Sequence, residues 1–98
     1  MTDPHILLGQ ELEHVLWYYR QPFADFVWSR YENAEEAITD MTRIIAALRN
    51  GDEAVLKEIQ LLFGPTGSIQ EISISSGWGN EYIEISARVD RCLELLWG

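Results

Sequence analysis

The chain is expected to fold as a mainly α protein, a small single-domain bundle of about five helices spanning residues 1–98. Two patterns and the composition predict this. Apolar residues recur at three- and four-residue spacing through most of the chain. Residues that start and stop helices (Asp3-Pro4, Asn33, Asn50-Gly51 and Gly64-Pro65) stand at the ends of those runs. Hydrophobic residues make up 47 % and charged residues 23 %, the balance of a folded domain.

The first helix is expected over residues 4–19. Asp3 is its N-cap and Pro4 its first position, where a missing N–H costs nothing. Ile6, Leu7, Leu8, Leu12, Val15, Leu16 and Tyr19 supply the stripe. Gln21-Pro22 ends it, because proline disfavours helical geometry in the residue before it. A short second helix is expected over 22–31, with Phe23, Phe26 and Val27 facing inward and Arg30 completing the spacing.

A third helix is predicted over 34–49. Asn33 is its N-cap, and Glu36 completes a capping box. Ala34, Ala37, Ile38, Met41, Ile44, Ile45 and Leu48 form the stripe, and Asn50-Gly51 is the stop. Asp52 then caps a helix of about 53–63, built on Val55, Leu56, Ile59, Leu62 and Phe63. The two-residue link makes these two helices antiparallel neighbours.

Residues 64–79 read as irregular. Ser68 and Glu71 have the spacing to cap a single turn. Ile72-Ser73-Ile74-Ser75 alternates with period two and suggests a short extended segment. Ser76-Gly77-Trp78-Gly79-Asn80 is a turn. The last helix is placed at about 81–97, from Tyr82, Ile85, Val89, Cys92, Leu93 and Leu96. The alternative is an α+β fold with a hairpin over 72–86, since Ile83, Ile85, Ala87 and Val89 also alternate.

The net charge is −9, from 16 acidic and 7 basic residues. Six of the basic residues are arginine, and Lys57 is the one lysine. That sign opposes a phosphate-binding surface, so no nucleic-acid partner is expected. No apolar run approaches the ~20 residues of a membrane span, so no membrane partner is expected either. Residues 1–20 lack a basic start and a small-residue cleavage site, so no signal peptide is expected. The single cysteine, Cys92, cannot form an internal disulfide and reads as a buried thiol; a cytoplasmic protein is expected.

Phe23-Ala24-Asp25-Phe26-Val27, Asn50-Gly51-Asp52, Leu62-Phe63-Gly64 and Gly67-Ser68-Ile69 together resemble a family of small uncharacterised bacterial proteins. That family has a W-A-x-W-L start, a helix ending near G-D, and an F-G-G-M-G-S-x-N-D-L core. Pro65-Thr66 stands where the family has G-M, and Gln70-Glu71-Ile72 where it has N-D-L. The resemblance covers residues 23–74. It implies a mainly helical fold with a C-terminal helix, and no known activity.

Chemistry-bearing patterns are sparse. Glu11-x-x-His14 has the spacing of a di-iron helix motif, but the only other histidine is His5, so a full ligand set cannot be assembled. No nucleophile elbow or Cys/His pattern surrounds the serines or Cys92. The loop 64–68 lacks the lysine of a phosphate-binding loop. The dense aromatics Trp17, Tyr18, Tyr19, Phe23, Phe26, Trp28 and Tyr31 suit a core or a protein interface.

The candidate partner-binding residues are Glu32, Glu35, Glu36 and Asp40, with Trp78 as an exposed anchor on its glycine turn; the other reading of Trp78 folds it back onto the core. The expected function is a non-enzymatic acidic protein-binding domain without a cofactor. Its most concrete form is a bacterial immunity-type protein that neutralises a toxin with a basic surface. A structural or regulatory homodimer and a small carboxylate-based hydrolase are the alternatives.

Overall fold

The computed structural model describes residues 3–27, 29–64 and 67–97. It contains five helices: α1 Pro4–Tyr19, α2 Ala34–Arg49, α3 Ala54–Leu62, α4 Ser68–Ser76 and α5 Gly79–Trp97. No strand occurs among the described residues. The expected number of helices is therefore found, but the membership differs at two places.

α1 is the centre of the bundle and packs against both α2 and α5. Its buried side carries Leu8, Leu12, Val15, Leu16 and Tyr19. The Asp3 side chain accepts the His5 N–H at 2.8 Å, as expected for its cap. α2 starts on Asn33, whose side chain accepts the Glu36 N–H at 2.9 Å. It buries Ala37, Met41, Ile44, Ile45 and Leu48. After its last turn the Asp52 N–H returns to the Ala47 carbonyl at 3.0 Å, closing the helix across Gly51. Asp52 then accepts the Ala54 N–H at 3.0 Å from one residue ahead of Glu53, the cap position of α3.

Among the described residues, three ion pairs tie neighbouring helices. Arg49 meets Glu13 between α2 and α1, Arg88 meets Glu11 between α5 and α1, and Arg43 meets Glu58 between α2 and α3. The two exposed pairs, Arg49–Glu13 and Arg43–Glu58, contribute at most about 1 kcal/mol each, so the apolar core carries most of the stability.

The expected helix over 22–31 is not formed. Its backbone groups go elsewhere: Asp25 Oδ1 accepts the Val27 N–H, and Ser29 Oγ accepts the Tyr31 N–H. Short polar side chains compete with a helical ladder in this way. The segment is instead tied to α4, where the Asp25 N–H donates to Ser76 Oγ at 2.7 Å. Phe26 and Tyr31 still reach the core, while Phe23 and Val27 are exposed. Trp28 lies outside the described residues.

The stretch expected to be irregular or extended is helix α4. Ile69, Ile72, Ser73 and Ser76 form its buried face at i, i+3, i+4 and i+7. The period-two alternation misleads because Ser73 takes a core position while Ile74 faces solvent. Ser73 is fully buried and satisfies its hydroxyl on the Gln70 carbonyl at 2.7 Å. Ser68 does not cap a turn; Gly67 is the cap, with no side-chain bond. With 68–76 and 79–97 both helical, the hairpin alternative is excluded.

The joints around α4 depend on two glycines. A Cβ on Gly67 would overlap the Leu62 carbonyl oxygen and lie 2.9 Å from the Leu61 carbonyl oxygen. Only glycine lets the end of α3 pass this close. Gly77, at φ 87°, takes the left-handed conformation that stops α4, and the Trp78 N–H then bonds the Ser73 carbonyl at 2.9 Å. The expected five-residue turn thus shrinks to Gly77-Trp78, and α5 begins at Gly79, ahead of the expected 81.

Candidate functional site

The acidic candidates stand at the N-terminal edge of α2. Glu32, Glu35 and Glu36 are exposed and have no ion-pair partner among the described residues. Their position at the N-terminus of α2, the positive end of the helix dipole, favours negative charge. A shallow groove of about 710 Å³ opens at this edge, lined by Glu35, Glu36 and Asp40 with Arg30, Tyr31 and Arg43 among its other walls. Glu32 lies outside that lining.

Asp40 differs from its three acidic neighbours. It accepts Tyr31 Oη–H at 2.6 Å, an Arg30 N–H at 2.7 Å and an Arg43 N–H at 2.7 Å. Arg43 continues the network to Glu58 at 2.7 Å. Burial works to raise the Asp40 carboxyl, but the bonds from Tyr31, Arg43 and Arg30 outweigh it and hold the pKa below the ordinary carboxylate range. Burial and the bond to Asp40 push the Tyr31 hydroxyl up to about 12, against the opposing pull of Arg30. Asp40 is thus the hub of an internal network, and its charge is compensated before any partner arrives. Of this network, the Asp40–Arg43 pair has i, i+3 spacing and is visible in the sequence. Tyr31, Arg30 and Glu58 join through the tertiary fold, and no local pattern marks them.

Trp78 is not an exposed anchor. It is 2 % exposed and occupies the core between α1 and α5. Its ring stacks on Tyr18 at 4.3 Å and meets Tyr82 edge-on at 6.4 Å. Tyr82 in turn stacks near Phe63 at 6.0 Å and donates its hydroxyl to the Phe63 carbonyl at 3.3 Å. Gly77, in its left-handed conformation, lets the backbone turn at this point, so the indole falls between the helices. Its Nε1–H is buried and has no partner among the described residues.

The other chemistry-bearing residues resolve into structure. Glu11 is 8 % exposed, holds Arg88 Nε at 2.9 Å, and has His14 Nδ1 at 3.3 Å. Glu11 therefore joins α1 to α5 through Arg88, with His14 beside it on the same helix. No group of three or more His, Cys, Asp or Glu side chains among the described residues is placed to hold a metal ion. Cys92 is buried, and burial together with the Glu11 charge raises its thiol pKa, which disfavours the reactive thiolate. Of the aromatics over 17–31, Tyr19, Phe26 and Tyr31 are buried, Tyr18 is partly buried, and Trp17 and Phe23 are exposed.

None of the described helices is long and apolar enough to cross a membrane. Comparison with protein-family models, with curated proteins and with solved structures finds no match to this chain.

Proposed function

We propose that this protein is a non-enzymatic, cytoplasmic, acidic protein-binding domain, and most concretely an immunity-type protein that neutralises a basic toxin by direct binding. The carrying observation is the division of charge at the start of α2. Asp40 is held inside the Arg30–Tyr31–Arg43 network, while Glu32, Glu35 and Glu36 stay exposed and uncompensated. A rigid polar edge bearing free carboxylates suits steering and docking of a cationic surface. The net charge of −9 supports the same reading. The bacterial setting comes from the resemblance of residues 23–74 to the uncharacterised bacterial family. Trp78 has no part in this surface, and Asp40 serves to position its neighbours.

The test uses the triple variant Glu32→Lys, Glu35→Lys, Glu36→Lys. Tagged wild-type protein should capture one basic protein in stoichiometric amount from native lysate, and the variant should lose it while keeping its helical circular dichroism. Capture of no basic partner, or equal capture by the variant, would defeat the reading. A toxin-sized reading frame beside the gene, whose product arrests growth unless this protein is co-expressed, is the expected identity of that partner.

A further inference from the structure

A second concavity lies between α1 and α5, away from the residues assigned above. It measures about 270 Å³, and its walls include Trp17 and Tyr18 from α1 and Glu81, Glu84 and Arg88 from α5. This is below the ~300–1,000 Å³ of pockets that hold drug-sized ligands and suits a single long side chain. Trp17 is 56 % exposed, although tryptophan is among the largest apolar surfaces the chain has to cover. It meets Tyr18 edge-to-face at 5.1 Å, and Tyr18 is itself braced from beneath by the stacked Trp78. The aromatic wall is therefore fixed to the core.

The charges around this wall are unequal. Arg88 is already ion-paired with the buried Glu11, and His14, which also lines the space, has its Nδ1 on the same carboxylate. Glu81 and Glu84, one turn apart on α5, have no ion-pair or hydrogen-bond partner among the described residues. Both act on the Tyr18 hydroxyl: burial raises its pKa, and the two carboxylates raise it further, so their negative field reaches the aromatic wall. An exposed indole beside two uncompensated carboxylates is the chemistry that receives a planar cation. A guanidinium fits better than an ammonium, because it stacks flat on an indole and takes carboxylates in a forked pair of bonds.

We propose that the Trp17–Tyr18–Glu81–Glu84 pocket is a receptor for one arginine side chain presented on the surface of a partner protein. Trp17 supplies the stacking face, and Glu81 and Glu84 supply the counter-charge. The site is independent of the α2 edge, and either can fail without the other.

The experiment is a titration of isotope-labelled full-length protein with N-acetyl-arginine amide, followed by the Trp17 indole N–H and the backbone amides of 81–88. N-acetyl-citrulline amide, which has the same shape without charge, is the control. The arginine probe should shift these signals in a saturable way, and citrulline should not. Glu81→Gln with Glu84→Gln should weaken binding about tenfold, and Trp17→Ala should weaken it comparably. Both changes are at exposed positions, and each variant should keep the helical circular dichroism of wild type. An unmoved Trp17 signal, an equal response to citrulline, or unchanged affinity in the double variant would overturn the proposal. Shifts confined to 32–36 would overturn this pocket while favouring the α2 edge.

Discussion

Around Gly67 and Trp78 the chain is held by shape, whereas around Asp40 it is held by charge. At the first region the backbone of α3 passes Gly67 with no room for a Cβ, and Trp78 fills the space between helices in a run of stacked rings. At the second, one carboxylate gathers two guanidinium groups and a phenol at a half-exposed edge. Close packing tolerates little change, since both voids and overlaps are costly. Charge networks near water are screened and replaceable, so each member matters less. The charge-held edge is therefore where a partner surface can vary without loss of the fold, and the shape-held joint is where it cannot.

The largest effect should come from Trp78→Ala, which leaves a cavity between α1 and α5 and should cost about 3–5 kcal/mol in urea denaturation. Trp78→Phe keeps a ring against Tyr18 and removes the unpartnered Nε1–H, so it should cost roughly half as much. A loss under about 1 kcal/mol for Trp78→Ala would mean the indole is not a core element. Gly67→Ala comes next at about 3 kcal/mol, because the obstacle is backbone that cannot swing aside. The same measurement checks it, and wild-type stability would show that the α3–α4 joint is looser than described.

Asp40→Asn should cost about 1–2 kcal/mol at neutral pH, through weakened bonds to Arg30, Tyr31 and Arg43. Its pH signature is distinct. The folded pKa of Asp40 lies below the unfolded value, so its contribution is complete above the unfolded pKa of ~3.9 and is lost as pH falls through the folded value. As pH falls below about 4, wild-type stability should therefore fall more steeply than that of Asp40→Asn; parallel curves there would remove Asp40 from the hub role. The smallest effect belongs to Glu32→Gln, Glu35→Gln and Glu36→Gln, each within about 0.5 kcal/mol of wild type. A larger loss in thermal melting would show that these carboxylates are structural and would blunt the contrast between the two regions.

Much of the fold was legible. α1, α2 and α3 follow directly from their stripes and caps, and Asp3, Asn33 and Asp52 each make the hydrogen bond expected of a capping side chain. Residues 22–31 and 68–76 depart from expectation for one shared reason. Apolar spacing alone does not decide either segment: Asp25 and Ser29 divert backbone N–H groups in the first. In the second, a buried Ser73 and an exposed Ile74 disguise a helical face as an alternating strand. At the candidate site, the exposure of Glu32, Glu35 and Glu36 follows from their place at a capped helix start, while the capture of Asp40 by Arg30 and Tyr31 depends on a loop path that local pattern does not encode.

The amino-acid sequence alone determined the helical class, three helices with their caps, the acidic balance and the buried state of Cys92, because each rests on local periodicity, capping chemistry or simple counting. Tertiary structure alone decided that 68–76 is helix, that 22–31 is not, that Trp78 points inward and that Asp40 is compensated. Those outcomes turn on contacts between residues far apart in the chain, such as Asp25 with Ser76 and Tyr18 with Trp78. Local propensities there are near balance, and packing against a distant helix is the larger energy.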